Sequence, residues 1–558
     1  MATLKFPAAF KLLLPKPDQL GLKRALWLAA IFFCGVLLLA LHRYFTFYAS
    51  YDHGLFNQLF WNTSHGRWFQ SSLTSANSIA TLADGATPTV SFVHLGQHLV
   101  LDFLLWLPLY RVFPHPVTLI VLQVGLMAAG GLVLYGLARH YLAPQLSLWI
   151  VGSYYSAIAV VSPTLANFYE HCQIPLFAFG TLLAMEKQRW GWFWLGVLLV
   201  LGIREEAGII LFGIGAYLIV SRRHPRIGVA VCVLSFSYVA FVTTVIMPSF
   251  SADSSRLYLA TRFAQYVDSP NPSTLQVLWG ILTHPAELVS SLFLPFDRKI
   301  GYLIGHWLPL AFVPALSGVS WLVAGFPLLS LMLQKGMSAL SMQLRYAIAV
   351  VPGIFYGAIV WWSHHPDYFT AKVRNVWKGC LIVSFVVILT SNPNRSLSFL
   401  IPDSVRPWVF VPITRQWEHA THLYSVLKAI PQDASVSATT YLIPHVSTRR
   451  AVVRLPQIEI YDDRGDKTAV DYAIADIWQL AEYSKAFADS RTALSLTVPK
   501  IDKLVATNKY GLLHIEDGIV LLGKNQPSHP EALTQWALLL KRIGWQAATT
   551  ADLARSAG

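Results

Sequence analysis

Charge is what this sequence most lacks. Only 13% of its 558 residues are Asp, Glu, Lys or Arg, where a soluble domain carries about 25%. Cysteine is equally thin: Cys34, Cys172, Cys232 and Cys380 stand alone, with no CxxC or CxxxC spacing. That pattern signals neither a disulfide framework nor a zinc knuckle. There is no glycine-rich phosphate loop, which removes the commonest nucleotide-binding signal. No inverted repeat is evident, and the apolar runs hold few charges in mid-span, features that weaken a reading as an ion-coupled carrier.

What is present is apolar length. Hydrophobic residues make up 54% of the chain and the mean hydropathy is +0.48. Candidate spans lie at 25–42, 116–139, 144–163, 173–187, 190–204, 206–221, 227–248, 302–317, 319–334, 345–362 and 373–391, about eleven in all, several of them short enough to be broken helices. The fold class read from them is an α-helical polytopic membrane protein. From about residue 392 charged residues return at ordinary spacing. Residues 1–391 are therefore read as a transmembrane domain and 392–558 as a small soluble α/β domain. In it ASVSAT, AVVRLP and VDYAIAD are β-prone, and GLLHIEDGIVLLGK suggests a hairpin turning on Glu516, Asp517 and Gly518.

The net charge of +13 would suggest nucleic acid in a soluble chain. Here the basic residues sit in short loops, where they set orientation instead. Lys5, Lys11, Lys16, Lys23 and Arg24 precede an uncharged run from Ala25 to Leu41. This reads as an uncleaved first span with a cytoplasmic N-terminus in the inner (plasma) membrane. Segment 98–113 is apolar but short and carries Asp102 and Pro108. If it lies in the interface, Arg222, Arg223 and Arg226 fall inside, as the positive-inside rule favours. Residues 43–115 then form one long external loop with interfacial helices, and the C-terminal domain is extracytoplasmic.

On that external side fall Asp52 in YDHGLFNQLFWN, His94 and His98, the stretch NFYEH (167–171) and IREE (203–206). Asp52 stands just past the first span and opens a segment in which Leu55, Phe56, Leu59 and Phe60 form an apolar stripe, as in a helix lying in the interface. A carboxylate at headgroup depth suits a general base; Asp is equally a preferred helix N-cap. His94, His98 and Asp102 at i, i+4, i+8 would share a helix face, a weak pattern for a divalent metal. No metal site is assigned.

Taken together, these residues resemble a prokaryotic family of membrane proteins known as domain of unknown function 2079. Its Tyr-Asp-x-Gly-x-x-x-Gln motif is matched by Tyr51, Asp52, Gly54 and Gln58, and continued by Trp61, His65 and Gly66. Its His followed by Pro-Leu-Tyr resembles His98 with Pro108, Leu109 and Tyr110. Its basic-Glu-acidic motif resembles Arg204, Glu205 and Glu206, and its Tyr-then-Pro span resembles YAIAVVP (346–352). Members usually carry Asp-Phe-His-Pro-Glu where this chain has NFYEHCQIP.

That arrangement in turn resembles the C-type glycosyltransferases, multi-span enzymes that use lipid-phosphate sugar donors and hold a catalytic carboxylate in the first external loop. The resemblance implies a membrane glycosyltransferase moving a sugar from a polyprenyl-phosphate donor to an extracytoplasmic glycan, lipid or protein acceptor, with Asp52 as base. It implies Tyr51, His53, Gln58, His65, His98, Glu170, His171, Arg204, Glu205, Glu206, Arg345 and Tyr346 as substrate-binding residues. Arg204, His171 and Arg345 are the candidates to face the leaving phosphate; an ion pair with Glu205 or Glu206 is the other reading of Arg204. The alternative function is a non-enzymatic transporter or lipid-binding protein of the same fold.

Overall fold

A computed structural model describes residues 19–251, 259–269, 272–336 and 338–545; Lys5, Lys11 and Lys16, on which the orientation reading partly rests, lie outside them. Helix α1 (Gln19–Phe45) is followed across a short turn by α2 (Tyr51–Ser64). Then come α3 (Phe103–Val112), α4 (Pro116–Tyr141), α5 (Pro144–Tyr155), α6 (Ile158–Thr164), α7 (Ile174–Glu186) and α8 (Trp190–Ile203). The bundle continues with α9 (Gly208–Val220), α10 (Pro225–Phe241), α11 (Phe296–Trp307), α12 (Gly318–Met332), α13 (Val351–His364) and α14 (Ala371–Thr390).

Among the described residues five helices are long and apolar enough to cross a membrane, six if α5 and α6, bent by 46°, count as one span. The other apolar segments are helical but shorter. The expected span 302–317 is interrupted where Ala311 and Phe312 take left-handed backbone angles. Segment 98–113 yields only the ten residues of α3, on the order of 15 Å of helix against roughly 30 Å of hydrocarbon. It buries Phe103, Leu107 and Tyr110 and exposes Leu105 and Val112.

Helix pairs approach closely through small residues. Gly228 of α10 faces Gly215 of α9 so tightly that an added Cβ would stand 2.6 Å from the Gly215 carbonyl oxygen. Some of the charge inside the bundle is paired. Glu186, at the end of α7, receives Arg223 through both oxygens, at 2.8 and 2.7 Å. Tyr356 of α13 donates to the same carboxylate at 2.5 Å, and Tyr141 of α4 donates to it too.

The tail adds α15 (Ile413–Leu427), α16 (Ile443–Val446) and α17 (Ile477–Ser484). Its five-stranded sheet contains β1 (Val436–Ala438), β2 (Val452–Arg454), β3 (Tyr472–Asp476), β4 (Tyr510–Glu516) and β5 (Ile519–Lys524), in the order β2-β1-β3-β5-β4. β1 is parallel to both neighbours, while β5 is antiparallel to β3 and β4. The β4–β5 hairpin turns where the sequence suggests, with Asp517 and Gly518 both at positive φ, the geometry that suits a two-residue turn.

This sheet is not a detached body. The apolar stripe suggests that α2 lies in the interface; instead it is buried on both sides. Phe56 and Phe60 pack on Phe103. The polar face meets the tail: Asn57 donates to Ser447 Oγ at 2.8 Å, and Gln58 donates to the carbonyls of Arg449 and Arg450 at 3.2 and 3.1 Å. The polar residues find partners in protein rather than in solvent. At Gly54 a Cβ would stand 2.6 Å from Ile443 Cγ2 and 3.0 Å from its carbonyl carbon, so glycine lets α16 lie against α2.

Within the tail, His419 of α15 donates Nε2–H to Asp476 at 2.9 Å and Nδ1–H to Asp517 at 2.7 Å. Two donating ring nitrogens require the imidazolium. Burial works against that charge, but Asp476 and Asp517 outweigh it and raise His419 to about 9. A raised folded-state pKa stabilises fully below the ordinary value of about 6.5 and loses the effect as pH climbs through about 9. Thermal melts of the detergent-solubilised protein should therefore show His419→Gln well below wild type at pH 6. The gap should close by pH 10; a pH-independent gap would show that packing, not charge, is what His419 supplies.

Candidate functional site

Asp52 is the second residue of α2. The capping position is Ser50, which makes no side-chain cap but is pinned by Asn167, whose Oδ1 accepts from the Ser50 amide at 3.0 Å. Asp52 is thus free of the capping role the sequence allowed. Its Oδ2 accepts from the Tyr169 hydroxyl at 2.7 Å and stands 3.9 Å from Arg345 Nη1, with the side chain 37% exposed. The Arg345 guanidinium lies over the rings of Tyr169 and Tyr346, 4.4 and 4.9 Å from their centroids. Arg262 donates to the Tyr346 hydroxyl at 3.3 Å and to Gln334 Oε1 at 3.2 Å. A chain of contacts therefore runs Asp52, Arg345, Tyr346, Arg262, Gln334.

Next to it lies a denser group. Arg204, 1% exposed, donates to Glu170 at 2.7 Å, to Glu205 at 3.3 Å and to His98 Nε2 at 3.1 Å. His98 in turn donates Nδ1–H to Glu205 at 2.9 Å, a pattern that defines its tautomer. His171 sits between Glu206, at 3.2 Å, and Glu170, at 3.3 Å. Burial would lift the Glu170 carboxyl, but Arg204 and His171 hold it well below the usual range. Burial likewise opposes ionisation of Glu205, and His98 and Arg204 pull it down. Three carboxylates, one guanidinium and two imidazoles thus largely satisfy one another. Removing Arg204 would leave buried charge uncompensated, a loss of roughly 3–5 kcal/mol.

A cavity of about 460 Å³ opens between α9, α10 and α12. Its walls are apolar, with Phe212, Val239 and Phe326 among them; Glu205, Glu206 and Gln334 mark its polar end. Gln334 is the residue that Arg262 holds, so the cavity touches Glu205 and Glu206 directly and connects to Asp52 through Gln334, Arg262, Tyr346 and Arg345.

The structure brings together Asp52, Arg345 and Tyr346, and beside them His98, Glu170, His171, Arg204, Glu205 and Glu206. The remaining sequence candidates serve α2 itself. The Tyr51 hydroxyl donates to the Leu73 carbonyl. His53 is buried, donating to the Pro116 carbonyl at 3.1 Å and accepting from the Phe168 amide at 3.3 Å. Gln58 is buried against the tail, and His65 closes the helix at the surface, donating to the Trp61 carbonyl at 2.7 Å. His94, His98 and Asp102 do not share a helix face: His94 lies in a single turn, His94–Gly96, and α3 begins only at Phe103. Among the described residues no three His, Cys, Asp or Glu side chains are placed to hold one metal ion. Sequence reasoning missed Tyr169 and Arg262. Tyr169 had a signal, standing beside Glu170 in NFYEH; Arg262, helical in the structure, had none.

No curated protein matches this chain. A family model does, over residues 43–521, which takes in the first loop, both charged groups, the cavity walls and nearly all of the tail sheet. The chain belongs to the family described as predicted membrane protein DUF2079.

Proposed function

We propose that this membrane protein is a glycosyltransferase that takes a sugar from a polyprenyl-phosphate donor and delivers it to an acceptor, with Asp52 as the base. The observation that carries the reading is the apolar cavity whose polar end meets the charged groups next to Asp52. A lipid-linked substrate needs that pairing: a greasy channel for the chain and a fixed polar site where its head emerges. The acceptor hydroxyl must lose a proton as it attacks the anomeric carbon, and a half-exposed carboxylate can take it. Arg345 is held by aromatic rings rather than by a close carboxylate, which leaves its charge available to the departing phosphate. Arg204, by contrast, is spent on Glu170 and Glu205 and acts as the positioning centre of its group.

The test uses purified protein in nanodiscs with polyprenyl-phosphate hexoses and follows release of polyprenyl phosphate. Asp52→Asn should cut turnover by about 10²–10⁴ while donor binding and thermal stability stay near wild type, since no cap is lost. Turnover unchanged in Asp52→Asn would remove the base assignment. Ala240→Trp, on the cavity wall, should instead weaken donor binding with Asp52 intact; unchanged binding would detach the cavity from the substrate.

The second reading, a lipid-binding or transport protein, draws on the same cavity. It predicts polyprenyl-phosphate binding with no sugar release under any acceptor condition.

The transferase reading also places the tail, from about residue 392, on the extracytoplasmic side. A cysteine at exposed Arg464 should react with an impermeant maleimide in intact cells. Labelling only after permeabilisation would invert the topology.

A further inference from the structure

The parallel strands of the tail sheet end facing the start of α2. Arg454 closes β2, and its guanidinium lies over the Tyr51 ring at 4.9 Å. Tyr441 follows β1, and Asp476 closes β3 and caps α17 through the Gln479 amide at 2.8 Å. Gln479 then donates to the Phe47 carbonyl at 3.0 Å. Carboxyl ends of parallel strands are where open α/β sheets commonly bind ligands, and here they meet the segment that carries Asp52.

Among the described residues, two guanidiniums at this edge make no ion pair. Arg395 lies over Tyr483, Phe487 and Tyr441, at 4.0, 4.6 and 5.6 Å, and its buried Nη1 finds no acceptor. Arg454 rests on Tyr51. Among the described residues neither has a carboxylate within ion-pair distance. The nearby Asp403 is occupied by Tyr483, Asn392 and Ser398, at 2.7, 2.8 and 2.8 Å. Neighbouring Asn394 links the edge to Asp52: its carbonyl accepts from Arg43 at 2.7 Å, Arg43 donates to Asn167 at 3.3 Å, and Asn167 donates to the Tyr169 hydroxyl at 3.3 Å. Positive charge held half-buried on aromatic rings, with Asp403 near Arg395 but in no ion pair with it, is costly unless an anion completes it.

We propose that the tail edge around Arg454 and Arg395 binds an anionic group, phosphate or carboxylate, carried by the acceptor. Calling its bearer the acceptor rests on the transferase reading; the anion site itself does not. These arginines belong to the tail side of α2, whereas the cavity is walled by α9, α10 and α12. The acceptor's charge would dock on Arg454 and Arg395 while its hydroxyl meets Asp52. An acidic glycan or a phosphate-bearing lipid has that chemistry; a neutral sugar does not.

The full-length protein in nanodiscs is titrated with glucose 6-phosphate, glucuronate and glucose, following its melting midpoint. The two anions should raise it, glucose should not, and added salt should weaken the response. In Arg395→Gln/Arg454→Gln the apparent anion affinity should fall by about tenfold or more, as loss of charge-assisted bonds implies, with polyprenyl-phosphate affinity unchanged. Arg454→Lys, which keeps the charge, should retain part of the response and serves where the double variant does not fold. An anion response absent from wild type, or undiminished in the double variant, overturns the proposal. Loss of polyprenyl-phosphate binding in that variant assigns the arginines to the donor and overturns it too. Anion binding without sugar transfer would instead sink only the transferase reading.

Discussion

The carboxamide of Gln58 holds this architecture together. It is buried, its Oε1 accepts from Ser71 Oγ and the Leu73 amide at 2.8 and 3.1 Å, and its Nε2 donates to Ser72 Oγ at 2.9 Å and to two tail carbonyls. One side chain thus fastens α2, the first loop and a segment 391 residues later. An amide buried this deeply is stabilising only when its partners are present, so the tail must be docked for α2 to be satisfied. Asp52 sits on that same helix. Its orientation toward Tyr169 and Arg345 therefore depends on the tail as well as on the membrane bundle.

This dependence gives the Tyr-Asp-x-Gly-x-x-x-Gln pattern a physical division of labour. Tyr51 ties α2 to the first loop, Gly54 admits α16 and Gln58 secures the tail. Asp52 alone turns its charge to a partly open space. A motif that reads as one catalytic signature is mostly a docking surface that aims a single carboxylate.

The apolar segments were legible in the sequence because hydropathy needs no knowledge of partners, and the β4–β5 hairpin because Asp517-Gly518 is a local signal. The docking of α2 was not legible. His53 and Gln58 read as substrate-binding residues, yet they and Asn57 bond to hydroxyls and backbone groups, several of them far along the chain, which a local pattern does not reveal. The site shows the same boundary. Adjacent charges between apolar runs mark Arg204 as an expensive residue, while Arg345 reads as a basic residue at a span end. The neighbours separate them further: carboxylates close on Arg204, aromatic rings support Arg345. Spacing misled at His94, His98 and Asp102, where the chain leaves its turn after Gly96 and the Asp102 amide bonds instead to the Gly202 carbonyl.

Both ends of α7 carry charge, and the contrast between them and Asp52 is instructive. At one end Glu186 is closed by Arg223, Tyr141 and Tyr356; just before the other, Glu170 is closed by Arg204. In a low-dielectric bundle such groups must be satisfied internally, or the fold fails. A closed pair has little freedom to exchange its partner for a substrate. Asp52 and Arg345 are 3.9 Å apart, beyond hydrogen-bond range yet close enough for attraction, and each is supported by Tyr169. Opposite charges kept near but not joined leave room for a group that needs a base on one side and a cation on the other. The charges around Arg204 and Glu186 are paired because stability requires it. Where the closure is incomplete, stability has been yielded locally, which is what a reacting site requires of its fold.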